Sequence, residues 1–130
     1  MVPALEEERR RPLRVLVVDD NIDHVRTMAY LVRDSGHHVD YAINGIVALE
    51  LAQRTRPDVV ILDVFLPDTN GFELARELRK NPQLKQAYVV GITGRDVERA
   101  VAMQNGFDEL LHKPVHFRLI DELLSRIFRK

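Results

Sequence analysis

The sequence predicts a single α/β domain in which a parallel β-sheet is covered by helices on both faces. From Leu13 onward, short apolar runs alternate with amphipathic stretches five times, which is the pattern of a repeated βα unit. Three of these runs, at residues 15–18, 59–62 and 89–92, are almost continuously apolar, as expected for parallel strands buried on both faces. At 130 residues the chain is long enough to form one core and to fold alone.

The two remaining strands have the character of sheet edges. Residues 37–41 alternate between apolar and polar side chains, and residues 107–111 are interrupted by polar ones. Right-handed crossovers, with the second and fifth strands at the edges, predict the flavodoxin-like strand order 2-1-3-4-5. This order places the first strand beside the third. The five predicted strands are residues 14–18, 37–41, 58–62, 87–92 and 107–111.

The helices between the strands are marked by capping and breaking residues. Asn21 is predicted to cap the first helix, Asn44 precedes the second, and Asn70 with Gly71 opens the third. Apolar residues at helical spacing predict a fourth helix from Val97 and a fifth that extends to Phe128.

Composition narrows the function classes. The net charge of −1 gives no electrostatic footprint for direct nucleic-acid binding and no attraction to an anionic membrane. The absence of cysteine excludes disulfides, thiolate metal sites and cysteine nucleophiles. No apolar segment has the length of a leader or a membrane span, so we expect a cytoplasmic protein. Residues 1–12 are expected to form a charged, disordered arm and residues 13–130 the domain.

Polar side chains follow four of the predicted strands. They are Asp19 and Asp20 after the first strand, Asp63 after the third, Thr93 after the fourth and Lys113 after the fifth. Open α/β sheets build their sites at this carboxyl edge. Two carboxylates ~4 Å apart repel by about 4 kcal/mol at an effective dielectric near 20, so a pocket with three must protonate one, pair one with a cation, or bind metal.

These side chains together predict phosphoryl chemistry. Carboxylates without cysteine or clustered histidine favour a hard cation, and Mg²⁺ that awaits a phosphate oxygen fits best. Asp63 can attack a phosphoryl group to give an aspartyl phosphate. Lys113 supplies a positive charge for phosphate, and Thr93 supplies a hydroxyl that can bond a phosphoryl oxygen.

Four segments of the chain resemble the receiver domain of two-component response regulators, over roughly residues 13–128. These segments are VLVVDDN at residues 15–21, LDVFLPDTNGFEL at 62–74, ITG at 92–94 and GFDELLHKP at 106–114. The resemblance implies that Asp63 accepts a phosphoryl group from a histidine kinase or a histidine phosphotransfer protein. It also implies that Asp20 and Asp63 bind Mg²⁺ directly, Asp19 through a water molecule, and Phe65 through its backbone carbonyl.

The same resemblance assigns the remaining residues and the mode of action. Thr93 and Lys113 would hold the phosphoryl oxygens, and the Lys113–Pro114 peptide bond would be cis. The domain would catalyse its own phosphorylation and dephosphorylation without being a stand-alone enzyme. With no DNA-binding output in these residues, we expect it to act through contacts with an effector protein, or as a phosphoryl relay or sink. A homodimer through the last helix–strand–helix face is a further hypothesis.

The chain departs from the family pattern in ways that bear on the response to phosphate. Leu110 stands where the family usually has Tyr or Phe as a switch, and Phe107 stands where a small residue is common. Phe65 and Arg95 border the route of attacking water, which predicts slow self-dephosphorylation. The five histidines, including His24 early in the first helix, show no metal-ligand spacing, and His24 is expected to be a surface residue.

Three other protein classes compete with this interpretation of the sequence. A flavodoxin needs a phosphate loop after the first strand, where Asp19, Asp20 and Asn21 would repel the FMN phosphate. A metal-dependent phosphatase of the aspartyl-nucleophile type has its nucleophile on the first strand in an Asp-x-Asp arrangement, which this chain lacks. A receiver-like interaction module that works without phosphate stays open, and Leu110 is the residue that favours it.

Overall fold

Five strands alternate with five helices in a computed structural model of the chain, which describes residues 11–127. The predicted N-terminal arm lies almost wholly outside the described residues, as does Phe128. In chain order, the elements are β1 (Arg14–Val18), α1 (Ile22–Asp34), β2 (His38–Ala42), α2 (Gly45–Thr55), β3 (Val59–Asp63), α3 (Gly71–Lys80), β4 (Tyr88–Thr93), α4 (Arg99–Gln104), β5 (Glu109–His112) and α5 (Phe117–Ser125).

All five strands are parallel and form one sheet in the order β2-β1-β3-β4-β5. The predicted fold class and strand order are therefore confirmed. The register aligns the strand ends, because Val18 lies opposite Leu62 and Asp63 opposite Ile92. The residues that follow or end β1 and β3 consequently meet at one edge of the sheet.

The sheet separates two apolar cores. Alternate side chains of the central strands enter opposite cores, so Leu16 and Leu62 pack on one face while Val17 and Ile61 pack on the other. All five residues of β3 are buried, in agreement with its continuous apolar sequence. Burial on both faces holds the site-bearing strands rigidly.

Asparagine side chains begin the first three helices. Those of Asn21, Asn44 and Asn70 each accept hydrogen bonds from backbone N–H groups of the first helical turn. Such caps satisfy donors that have no partner within the helix. These three helix starts follow β1, β2 and β3 at the carboxyl edge of the sheet.

Some element boundaries differ from the predicted ones. β5 begins at Glu109, because Phe107 donates its N–H to Ala102 O and closes the end of α4, with Gly106 at a φ of 98°. Val97 precedes α4 and does not belong to it. The fifth helix ends at Ser125, and Arg126 continues it only as a turn. Within residues 11–127, no helix combines the length and the apolar content needed to cross a bilayer.

Candidate functional site

Three carboxylates meet at the carboxyl edge of the sheet. One carboxylate oxygen from each of Asp19, Asp20 and Asp63 lies within 4.8 Å of the others. The neighbouring positions of β1 and β3 bring them together, as the predicted strand order requires. The turn after β1 is held by Asp19, whose N–H donates to Ala42 O at 3.1 Å and whose Oδ1 accepts the Asn21 N–H at 3.0 Å.

Asp63 is the most deeply placed member of this acidic pocket. Its side chain is 9% exposed. Oδ1 accepts the N–H of Phe65 at 3.0 Å, and Oδ2 accepts a hydrogen bond from Lys113 Nζ, also at 3.0 Å. Both carboxylate oxygens therefore have a defined partner, and the plane of the carboxylate is oriented by contacts from two different loops.

The pKa values of Asp19 and Lys113 are shifted by burial and by the neighbouring charges. Burial raises the pKa of Asp19, and the charges of Asp63 and Asp20 add to this effect, while the Asn21 N–H and Lys113 oppose it. Burial alone would lower the pKa of Lys113, but its hydrogen bond to Asp63 and the nearby carboxylates outweigh burial and raise that pKa. Lys113 therefore remains protonated at neutral pH. One ammonium faces three carboxyl groups, so the pocket favours a further cation.

Thr93 is fully buried at the end of β4. Its hydroxyl accepts the N–H of Arg95 at 3.0 Å. The Arg95 side chain in turn lies over the ring of Phe65, with Cζ 4.2 Å from the ring centroid. This distance is within the range of a cation–π contact. The two residues predicted to border the route of water thus contact each other beside the pocket.

Leu110, which stands at the family's aromatic switch position, and the nearby Phe107 are both buried. Leu110 is 6% exposed and Phe107 is 3% exposed. A Cβ on Gly91 would lie 2.8 Å from the Phe107 ring, so glycine at this position makes space for the ring. Phe107 also packs edge-to-face against Phe72 of α3, with ring centroids 5.9 Å apart. The Phe107 ring is therefore closely packed between Gly91 of β4 and Phe72 of α3.

A groove runs from the acidic pocket between α1 and the segment that leads into α5. Its volume is about 660 Å³. Its lining includes Asp63 and Lys113 at one end and apolar side chains such as Met28, Val115 and Phe117. His24 is exposed, as predicted, but it also lines this groove. Sequence periodicity does not reveal such a groove, because it is formed by elements at opposite ends of the chain.

Asp68 is a further residue near the site, and no sequence motif indicates its role. This residue lies in the loop after β3, and its carboxylate accepts hydrogen bonds from Gly45 N–H at 2.9 Å and Ile46 N–H at 3.1 Å. The hydrogen bond from Gly45 lowers the pKa of Asp68, burial opposes it, and the hydrogen bond from Ile46 contributes in the same direction as the first. The only sequence signal was an acidic residue in a proline-containing turn, which does not indicate a distant partner.

The structure thus brings Asp19, Asp20, Asp63 and Lys113 into one pocket. It places Thr93 at the same edge, with its hydroxyl bonded to the main chain of Arg95. Phe65 contributes its N–H to Asp63, and the Lys113–Pro114 peptide bond is cis, as the resemblance implies. The roles of these residues in metal binding and phosphoryl transfer stay predictions.

Comparison with known proteins identifies the family. Residues 15–126 match the response regulator receiver domain. The chain is 34% identical over 122 residues to the transcriptional regulatory protein AfsQ1 of Streptomyces coelicolor, covering 92% of this chain and 52% of AfsQ1. It is 35% identical over 118 residues to the response regulator MprA of Mycobacterium sp. strain KMS, covering 89% of this chain and 49% of MprA. The chain therefore spans about half the length of these curated relatives.

Solved structures agree with this match. The chemotaxis response regulator CheY4 of Vibrio cholerae superposes with a TM-score of 0.83 at 30% identity, over 89% of this chain and 98% of CheY4. The family match covers most of the chain, and the fold and sequence comparisons point the same way. The chain belongs to the response regulator receiver domain family and has a role in two-component signalling.

Proposed function

We propose that Asp63 accepts a phosphoryl group from a phosphohistidine on a histidine kinase or a histidine phosphotransfer protein. In this reaction an Asp63 oxygen forms a bond to phosphorus, and the bond between phosphorus and the histidine nitrogen breaks. The nitrogen keeps the electron pair, so the donor histidine leaves as a neutral imidazole once it carries a proton. The observation that carries the proposal is the orientation of the buried Asp63 carboxylate by Lys113 and by the Phe65 N–H.

The donor set of the pocket suits Mg²⁺. Asp20 and Asp63 would bind the ion directly, Asp19 through a water molecule, and Phe65 through its backbone carbonyl. All of these ligands are hard oxygen donors, which Mg²⁺ prefers over softer ligands. When bound, the ion neutralises charge on the phosphoryl oxygens. The excess of carboxylates over ammonium groups in the pocket supports a requirement for such a cation.

Two residues of the chain would hold the transferred phosphoryl group. The Lys113 ammonium is protonated and donates to Asp63 Oδ2, so it is placed to donate to an oxygen of a phosphoryl group on Asp63. The Thr93 hydroxyl would have to leave its contact with the Arg95 main chain in order to donate to a second oxygen. Movement of this hydroxyl would connect the chemistry to the surface around Arg95.

The groove beside the site supports docking of the donor protein. It ends at Asp63 and Lys113, and its walls offer apolar contacts from α1 and from the segment before α5. A protein that buries this apolar surface would bring its phosphohistidine to the edge of the acidic pocket. The downstream partner would be an effector protein that distinguishes the phosphorylated from the unphosphorylated surface.

The test is intact-mass spectrometry after incubation with a small-molecule phosphodonor, with and without Mg²⁺. Wild-type protein should gain one phosphoryl group only when Mg²⁺ is present, and Asp63→Asn should gain none. Asp34→Asn removes an exposed carboxylate at the end of α1 and should behave as wild type. If neither the small donor nor phosphorylated kinases modify the wild type, the phosphate-independent interaction module becomes the better account.

A further inference from the structure

The loop after β3 is fastened to helix α2 by a single side chain. We define the phosphoacceptor loop as residues 64–70, which connect β3 to α3. Asp68 lies in this loop, and its two carboxylate oxygens accept the N–H groups of Gly45 and Ile46, the first two residues of α2. These two donors have no partner within the helix, so one side chain joins the loop to a helix start that is distant in sequence.

Backbone contacts within the loop connect its middle, around Asp68, to its two ends at Phe65 and Asn70. Leu66 N–H donates to Thr69 O at 3.2 Å, and Phe65 pairs with Asn70 in an antiparallel bridge. These contacts fold the loop back on itself. Restraint of Asp68 near the tip is consequently transmitted through the loop backbone to Phe65, whose N–H bonds Asp63 Oδ1.

The loop and the helix also pack closely beside the Asp68 bonds. Gly45 is buried, and a Cβ at this position would lie 2.3 Å from Thr69 Cγ2. The N-cap residue of α2 is Asn44, whose side chain accepts the Val47 N–H at 2.9 Å. The start of α2 is thus held by two side chains, of which only Asp68 belongs to the phosphoacceptor loop.

We propose that Asp68 is a positioning residue for the metal and phosphoryl site, acting through the backbone of Phe65. Its contacts with α2 hold the loop in the conformation in which Phe65 N–H orients Asp63, and from which the Phe65 carbonyl would bind the metal under the proposed function. Without this tether the loop would sample other conformations, and both the Phe65 carbonyl and the Asp63 carboxylate would be less well placed. The inference rests on the proposed function of the site.

The experiment compares Asp68→Ala with the matched control Asn44→Ala. Both substitutions remove a cap from the start of α2, but only the first releases the phosphoacceptor loop. Mg²⁺ affinity is measured by calorimetric titration, and hydrogen exchange of the Phe65 amide is measured by NMR without metal. We expect Asp68→Ala to weaken Mg²⁺ binding about tenfold, as is typical when a group that orients a metal ligand is lost, and to speed exchange at Phe65. Asn44→Ala should leave Mg²⁺ affinity within about twofold of wild type.

Two further variants guard against a folding defect in Asp68→Ala. Asp68→Asn keeps the shape and one acceptor oxygen and should give an intermediate loss of Mg²⁺ affinity. Gly45→Ala leaves Asp68 intact but introduces a methyl group against Thr69, and it should shift Mg²⁺ affinity in the same direction. Circular dichroism confirms that each variant is folded before titration.

The outcomes separate this proposal from the proposed function. If Asp68 variants bind Mg²⁺ as tightly as wild type, or if Asn44→Ala weakens binding equally, the positioning role is wrong while phosphorylation of Asp63 stands. If wild-type protein neither binds Mg²⁺ nor takes up a phosphoryl group, both proposals are wrong. Selective loss of affinity and faster Phe65 exchange in the Asp68 variants would establish the tether.

Discussion

A carboxylate is paired with a cation at each end of the strands, at the amino edge and at the carboxyl edge of the sheet. The two pairs are built differently. At the amino edge, the Arg79 guanidinium donates to Asp108 at 2.6 Å and to the carbonyls of Lys85, Ala87 and Gly106. The same Asp108 oxygen accepts the Val89 N–H at 2.8 Å. At the carboxyl edge, one ammonium, that of Lys113, faces three carboxyl groups.

The difference separates an ion pair that stabilises the fold from one that supports the proposed function. Around Arg79 every donor has an acceptor and the charges balance, as expected when a polar network stabilises the fold. Around Asp63 the negative charge exceeds the positive charge: burial and then the neighbouring carboxylates raise the pKa of Asp19, and the hydrogen bond to Asp63 with the nearby carboxylates raises the pKa of Lys113. Unbalanced charge at a sheet edge is typical of a site that awaits a ligand.

The largest expected effect is on stability and comes from the amino edge. Arg79→Ala leaves Asp108 and three carbonyl groups without their guanidinium partner, and we expect the free energy of unfolding to fall by about 3 kcal/mol. Arg76→Ala is the control on the same helix, because its contact is with Asn105 at the surface. It should cost less than about 0.5 kcal/mol. Chemical denaturation measures both values.

A substitution at the carboxyl edge should have the opposite profile, with a small effect on stability and a large effect on phosphoryl uptake. Asp63→Asn should change the free energy of unfolding by less than about 1 kcal/mol, because lost pairing with Lys113 is offset by weaker repulsion from Asp19 and Asp20. Phosphoryl uptake by folded Arg79→Ala should equal that of wild type. A loss of uptake in Arg79→Ala that persists under fully folded conditions would contradict the division between the two edges.

A smaller effect is expected at the rim of the carboxyl edge, where Arg95 stacks on Phe65. Phe65→Asn removes the ring and its cation–π contact and opens the pocket to water. We expect the aspartyl phosphate to be lost about fivefold to tenfold faster than in wild type, which corresponds to roughly 1 kcal/mol of barrier. The measurement is the decay of the phosphorylated mass after removal of the donor. A wild-type half-life shorter than that of Phe65→Asn would show that the stack does not restrict water.

The smallest effect is a pH dependence at the amino edge. Burial lowers the pKa of His37, Asp121 opposes this effect, and His38 adds to it. His37 Nδ1 also accepts the Leu13 N–H at 3.1 Å, so this nitrogen must be unprotonated in the folded protein. Because the folded pKa lies below the unfolded value of about 6.5, the unfolded chain binds more protons, and the free energy of unfolding falls as pH drops below about 6.5.

His37→Gln provides the comparison for this pH dependence. The glutamine side chain does not titrate, so the difference in unfolding free energy between wild type and variant should itself change with pH between pH 7 and pH 5. Denaturation series at several pH values measure this difference. A constant difference over that range would show that His37 does not contribute to the acid sensitivity of the fold.

Much of the candidate site followed from the sequence, because its residues sit at strand ends. The carboxyl ends of parallel strands predict Asp19, Asp20, Asp63, Thr93 and Lys113 at one edge, strand order predicts β1 beside β3, and the register of these two strands agrees. The errors fell at helix and strand boundaries near Val97 and Phe107, where the end of α4 overrides the apolar pattern of the chain. The sequence does not indicate the contacts of Asp68, because its partners are 22 and 23 residues away.

The sequence by itself determined the number and kind of elements, their order in the sheet and the chemistry delivered to its carboxyl edge. Apolar periodicity and asparagine caps are local features of the sequence, and the handedness of crossovers is a general rule of topology. None of them depends on which distant side chains contact each other. Only the tertiary structure decided that Asp68 caps α2, that Arg79 joins Asp108, that Arg95 stacks on Phe65 and that Phe107 fills the space beside Gly91. These contacts depend on the distances and angles between packed elements, and no spacing along the chain specifies them.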